Sequence, residues 1–383
     1  MSDAFDLIDQ TLQSGGPEAG FEFLAKKVLD DKNYPLLFEV RLLKKRHELG
    51  LPLVQVDDSA PMPADTRREY DKAFIDAARE VGGLFLADGN IQRAWPYFRA
   101  IGETAPVSAA IEKFDSQEGA EPVIEIAFME RVNPYKGFQL ILSNYGICRA
   151  ITSFGQFPSR EGRDESLRLL VRTLHTELVE SMKRVIERNE GQAPDTQNVP
   201  ELMAGRDWLF QGNSYYVDTS HLTSVIRFSL DLTDRETLGL ACELADYGTH
   251  LGSMFQERSD PPFDNFYIDH GVYLRALRGE NVDQAVAHFR AKVEACDPAE
   301  TGSAPAQILV GLLARLEQYN EAIDVSLQQL SGVGPSELAC PSVVQLCFLA
   351  GDYSRLRTVA RDRGDLLHYA AAGAIGRQDR TAC

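Results

Sequence analysis

The chain has 383 residues and a formal net charge of −18, from 39 Lys+Arg against 57 Asp+Glu. With 44% hydrophobic and 25% charged residues it has the composition of a globular protein with ample apolar mass for a core. The excess of carboxylates counts against a broad nucleic-acid or anionic-membrane surface, since both require positive potential, and no apolar run reaches the roughly 18 residues of a spanning helix.

The opening MSDAFDLIDQTLQ has no basic segment followed by an apolar one. No secretory signal is therefore read, and a cytoplasmic location is expected. The six cysteines, Cys148, Cys242, Cys296, Cys340, Cys347 and Cys383, form no CxxC pair. They read as small apolar core residues rather than a disulfide framework.

Apolar residues recur at helical spacing almost throughout. Residues 3–14 carry Phe5, Ile8 and Leu12. Residues 17–30 carry Phe21, Leu24 and Leu29, with Pro17 in the first turn. Residues 34–49 carry Leu36, Leu37, Val40 and Leu43. The Pro- and Asp-rich stretch Leu51 to Pro63 reads as a linker, so 1–62 form an N-terminal segment. A long helix over 64–87 stops at Asp88-Gly89-Asn90, and a second runs from Ile91 to about Glu103. With Pro106 closing it, 63–106 is a helical hairpin.

The middle, 107–217, does not repeat. The segment 123–132 (VIEIAFMERV) fits either period, and helix is favoured because Pro122 can start one and no partner strand lies nearby. Within it, Glu125 and Glu130 are read either as a buried acid/base or, more commonly, as partners of Arg131 or Lys136. Short helices at 136–144 and 146–154 part near Gly146, and 164–188 is a long amphipathic helix. The polar stretch 189–212 contains Trp208, Leu209 and Phe210. A loop that long is often functional, and here the aromatics can pin it as a compact Ω-loop.

From 218 to 383 the hairpins resume. They pair 219–232 with 235–252, 264–278 with 282–295, 305–316 with 319–331, and 338–350 with 353–362, before a closing helix at 365–375. Cys340 and Cys347, seven apart, would share a helix face.

Gly82, Phe85, Ala94, Phe98 and Pro106 place small residues, aromatics and a closing proline in a fixed order. In that order the hairpin 75–106 resembles a tetratricopeptide repeat, in which small residues let two helices approach and aromatics fill the holes beside them. Ala285 with Phe289 repeats the second-helix pair, but Lys292 departs from the pattern. Ala322 recurs with Ser326 in place of the aromatic. The resemblance implies an all-α array of antiparallel helical hairpins, an α-solenoid that binds partners on its concave face. Other paired-helix folds, including closed α/α toroids, give similar signals.

No GxGxxG after a strand, P-loop, HExxH, GxSxG or zinc-finger spacing occurs. The chemistry-bearing residues are histidines on apolar helix stripes. His175 lies with Val171, Leu178 and Met182; His221 with Val225, Phe228 and Leu232; His270 with Phe263, Tyr267, Leu274 and Leu277. His221 follows Asp218-Thr219-Ser220, residues that cap helices. If the three helices stand side by side, His175, His221 and His270 offer the ligand number of an open divalent-metal site, with Glu177, Asp218 and Asp269 orienting the rings. The plainer expectation is three separate core histidines, each bonded to a carbonyl or to Tyr215, Tyr216 or Tyr267. Two functions follow: a helical-repeat module for a protein or peptide partner, or a metal-dependent enzyme or small-molecule binder with a histidine-lined pocket. A structural or assembly protein is a third. Neither nucleic acid nor membrane is expected as a partner.

Overall fold

The computed structural model describes residues 2–54 and 62–381, so part of the expected linker and Cys383 lie outside the described residues. The fold is all-α. Among the described residues no strand forms, and the only β-type pairing is an isolated bridge between Arg258 and Asn265. No helix among them is long and apolar enough to cross a membrane. The chain divides into two compact units, Met1–Ser166 and Leu167–Cys383, with the division inside the expected irregular middle.

The first unit holds α1 (Ser2–Asp30), α2 (Tyr34–Glu48), α3 (Ala64–Ala87), α4 (Ile91–Ala100), α5 (Ala105–Glu112), α6 (Ala120–Ile124) and α7 (Pro134–Gly155). Helix α1 breaks at Gly16 and α7 at Gly146, each with φ near +75°, which glycine adopts without steric cost. Both breaks fall where the sequence separates two helices. The hairpin α3–α4 closes over Phe85, Ala94 and Phe98, all buried. Gly82 of α3 lies flat against the Phe98 ring, and a Cβ there would sit 2.6 Å from Phe98 Cε2. Of segment 123–132, residues 123–129 are helical as expected, passing from α6 into a π-helical turn at Glu125–Met129, but the helix ends there and Arg131 takes a left-handed backbone with φ 63°. Glu125 is exposed there, and Glu130 pairs at 3.1 Å with Arg99 rather than with Arg131 or Lys136. Phe128, Phe138, Phe154 and Phe157 form the aromatic core beneath.

The unit boundary falls in the first turn of α8 (Arg163–Glu190), whose Leu167, Leu170, Leu174, Leu178, Met182 and Ile186 are buried. The expected long loop after it carries structure of its own, α9 (Val199–Met203) and a 3-10 turn at Asp207–Asn213. Leu209 is buried there, and Phe210 packs on Tyr247 and His250. This is the pinned form of that segment. Then come α10 (Thr219–Phe228), α11 (Arg235–His250), α12 (Phe266–Leu277), α13 (Val282–Ala295), α14 (Pro298–Thr301), α15 (Ala304–Arg315), α16 (Tyr319–Gln329), α17 (Val343–Ala350), α18 (Tyr353–Asp362) and α19 (Leu366–Thr381). One apolar core runs from α12 to α19 through Phe289, Leu309, Leu313, Ile323, Leu346 and Leu356. Helix α17 begins five residues later than the expected 338, because Ser342 and Gln345 make a capping box there. Cys340 therefore sits in the preceding loop, and only Cys347 lies in the helix.

Candidate functional site

A buried ionic network joins α12 to α13. Asp269, in the first turn of α12, is fully buried. Its Oδ2 accepts from the Asn265 backbone N–H and from Lys292 Nζ, each at 2.8 Å, and its Oδ1 accepts from His288 Nε2 at 2.8 Å. Lys292 also reaches Asp264. Residues four apart on one helix share a face, so α13 delivers His288 and Lys292 together. A carboxylate so deeply placed persists only with such partners. Burial acts to depress the Lys292 ammonium, but hydrogen bonds to Asp264 and Asp269 outweigh it and hold the group above its ordinary value.

His288, a third exposed, also lines a cleft of about 400 Å³ with Val272, Arg275, Glu280, Asn281 and Gln284. Arg275 is anchored on Asp246, and Glu280 pairs with Arg278 at 2.9 Å. Asn281, at the turn between the helices, holds a left-handed backbone with φ 52°. The cleft thus carries donors and acceptors, with Arg275 and His288 held from behind by Asp246 and Asp269.

His175, His221 and His270 stand in different surroundings. His175 Nε2 donates to Glu243 Oε2 at 2.9 Å. The same carboxylate accepts from Asn198 Nδ2 and from the Val199 N–H, each at 2.8 Å, which ties α9 to α8 and α11. Burial acts to raise the Glu243 carboxyl, but these bonds more than offset it and leave it below the usual range. His221 is half-exposed rather than buried. Its capping residue, Asp218, accepts from the N–H groups of Ser220 and His221 as the sequence predicts. Glu177 lies near His221, and loss of water around its carboxyl raises it despite that imidazole. His270 is sandwiched between Phe263 and Phe266, ring centroids 4.1 Å away on each side. Its Nδ1 donates to the Phe266 carbonyl at 2.8 Å. Among the described residues no group of three or more His, Cys, Asp and Glu side chains is placed to hold a metal ion. Two of the rings have separate partners, a carboxylate for His175 and a carbonyl for His270, and Tyr216 and Tyr267 serve other bonds. Tyr216 donates to Leu209 O and Tyr267 faces Phe255 O.

Of the six candidates, then, only Asp269 enters the α12–α13 network. The residues it recruits, His288 and Lys292, were legible as an i, i+4 pair beside Ala285 and Phe289, and Lys292 stands out in the sequence as a break in the repeat pattern.

Burial pushes the His270 imidazole down to about 4 from an ordinary 6.5. As pH falls through 6.5 the unfolded ring takes up a proton that the folded ring refuses until about 4. Stability contributed by neutral His270 is thus full above that window and lost within it, by up to about tenfold in the unfolding constant per pH unit. Urea unfolding at stepped pH should show this slope for the natural chain and a shallower one for His270→Phe. Parallel slopes would remove the assignment.

No family model, curated protein or solved structure matches this chain.

Proposed function

We propose that the chain is a helical-repeat binding protein that takes a peptide or protein segment into the α12–α13 cleft. The observation that carries this reading is the cleft itself, with Arg275, Gln284 and His288 presented on two packed helices and His288 braced by a fully buried carboxylate. Side chains fixed before a ligand arrives cost less entropy on binding, which favours recognition of a flexible segment. Amides such as Asn281 and Gln284 both donate and accept, as a peptide backbone requires.

The tetratricopeptide-like arrangement is part of the same proposal. Several pairs of consecutive helices pack against each other, among them α3–α4, α11–α12, α15–α16 and α18–α19. Ala285, Phe289 and Ala322 are buried at their repeat places, and Ser326 is buried where the aromatic is replaced. Close approach recurs at α11–α12, where Gly248 meets the Tyr267 ring. These features support paired helices with small residues at their contacts.

The test is a peptide array probed with the natural chain and with Asn281→Gly/Gln284→Ala. Glycine preserves the left-handed backbone at 281. Peptides retained by the natural chain should bind the variant at least about tenfold more weakly, with unchanged thermal unfolding. Equal affinity of the two proteins, or no peptide retained, removes the cleft from the reading.

A further inference from the structure

The last two helices hold two positive charges together on one phenol. Arg357 and Arg361 lie one turn apart on α18. Each donates from Nη2 to the hydroxyl oxygen of Tyr369 on α19, both at 2.8 Å. Their guanidinium carbons sit 4.7 and 5.3 Å from the centroid of the same ring. Neighbouring charges are already matched, Arg355 with Asp324 and His368 with Asp365. Among the described residues no carboxylate stands within ion-pair distance of Arg357 or Arg361.

That arrangement is unusual in a chain with 57 carboxylates against 39 basic side chains. Like charges converging on one neutral oxygen repel, and an oxyanion placed between them would reverse the sign of that interaction. Guanidinium forks match the paired oxygens of a carboxylate. Tyr369 fixes both forks, accepting a hydrogen bond from each and offering its ring face beneath them.

The surroundings narrow the ligand. A cleft of about 180 Å³ adjoins the pair, lined by Ala360, Arg361, Gly364, Asp365, Leu366 and Tyr369. Drug-sized molecules and cofactors occupy clefts of about 300 Å³ and more, so this one suits a single apolar side chain. Leu366 and Leu367 beside it are 82% and 75% exposed. Asp365, on the rim, already accepts from the His368 N–H and bonds its ring. The net charge of −18 repels extended polyanions such as nucleic acids and anionic bilayers, whereas a short segment with one carboxylate meets only the local arginines.

We propose that Arg357, Arg361 and Tyr369 form a docking site for a partner segment that carries an Asp or Glu side chain next to an apolar residue. The carboxylate bridges the two guanidinium groups, and the apolar neighbour enters the cleft beside Leu366. This site is on a different hairpin from the α12–α13 cleft and does not rest on it.

The experiment is fluorescence anisotropy with labelled, end-blocked peptides of sequence Gly-Ser-Glu-Leu-Gly-Ser, so that the side chain supplies the only carboxylate. Saturable binding is expected, weakening as salt is raised. Arg357→Gln/Arg361→Gln should weaken it at least about tenfold. Tyr369→Phe, which keeps the ring but frees the arginines, should weaken it less. Circular dichroism melts of these surface variants should match the natural chain, and Gln284→Ala should leave this binding unchanged, so the two proposals fail separately. Any of four results overturns the assignment. They are no saturable binding by the natural chain, equal binding of a Gln-Leu peptide, equal affinity in the double-arginine variant, or equal binding of a Glu-Gly peptide with inorganic phosphate as an equivalent competitor, which would leave an anion site only.

Discussion

Asp269→Ala is expected to cost Leu167–Cys383 about 3–5 kcal/mol of unfolding free energy, the usual loss when one member of a buried charge pair is removed. For a unit of this size that corresponds to a fall of roughly 6–20 °C in melting temperature. The change does more than delete one ion pair. Lys292, whose side chain is 16% exposed, keeps only Asp264, and the Asn265 N–H loses its acceptor at the start of α12. His288 loses the oxygen that fixes its ring over the cleft. Asp269→Asn keeps the volume and an acceptor for Asn265 but not the charge, so it should recover part of the loss. Asp269→Leu/Lys292→Met should recover most of it, because apolar replacement of a whole buried pair is often neutral. Urea unfolding of the full chain, followed by circular dichroism, orders these variants. A loss under about 1 kcal/mol for Asp269→Ala would mean that the network is not closed as described. The recovered double variant is also informative about function: if it folds well and no longer retains peptides, the network serves to hold His288 rather than to stabilise the hairpin.

What the sequence discloses about this unit and what it conceals have different physical origins. Helix existence follows from short-range pattern, and breaks follow from residues with special backbone freedom. Gly16, Gly146 and the turn after Ala87 were therefore readable. The start of α17 was missed because apolar spacing continues through 338–342, while the capping box of Ser342 and Gln345 decides where hydrogen bonding begins. Periodicity also names a face but not its depth. His175 and His270 are buried as their stripes implied, yet His221, on an equally good stripe, is half-exposed near the start of α10. Regular sequence intervals between histidines fix neither distance nor direction, so a common pocket did not follow from them. The opposite holds for Lys292. Read against the repeat it is an irregularity, and its reason is tertiary, since the buried Asp269 needs a cation and α13 delivers it. A charged residue on an apolar stripe is a signal that a partner exists, but the partner's identity waits on packing.

The second large effect tests the helical hairpin itself. Phe98→Ala should cost Met1–Ser166 about 3–5 kcal/mol, since a fully enclosed aromatic leaves a cavity that two rigid helices cannot close. Phe98 is 2% exposed and lies on Gly82, whose missing Cβ is what admits the ring. Gly82→Ala then sets two effects against each other. Alanine gains about 1 kcal/mol of helix propensity in the middle of α3. The new Cβ, however, would stand 2.6 Å from Phe98 Cε2 and 2.9 Å from Cδ2, and overpacking of this kind costs about 1–3 kcal/mol. The ring is hemmed in by α3 and α4, so the clash should win and Gly82→Ala should destabilise by about 1–2 kcal/mol. In the Phe98→Ala background the obstacle is gone. There Gly82→Ala should turn stabilising by about 1 kcal/mol, a reversal of sign that a double-mutant cycle in urea measures directly. If Gly82→Ala stabilises the natural chain as well, the two helices are not held at the distance that a small residue opposite an aromatic imposes, and the resemblance of 75–106 to a tetratricopeptide repeat loses its physical basis.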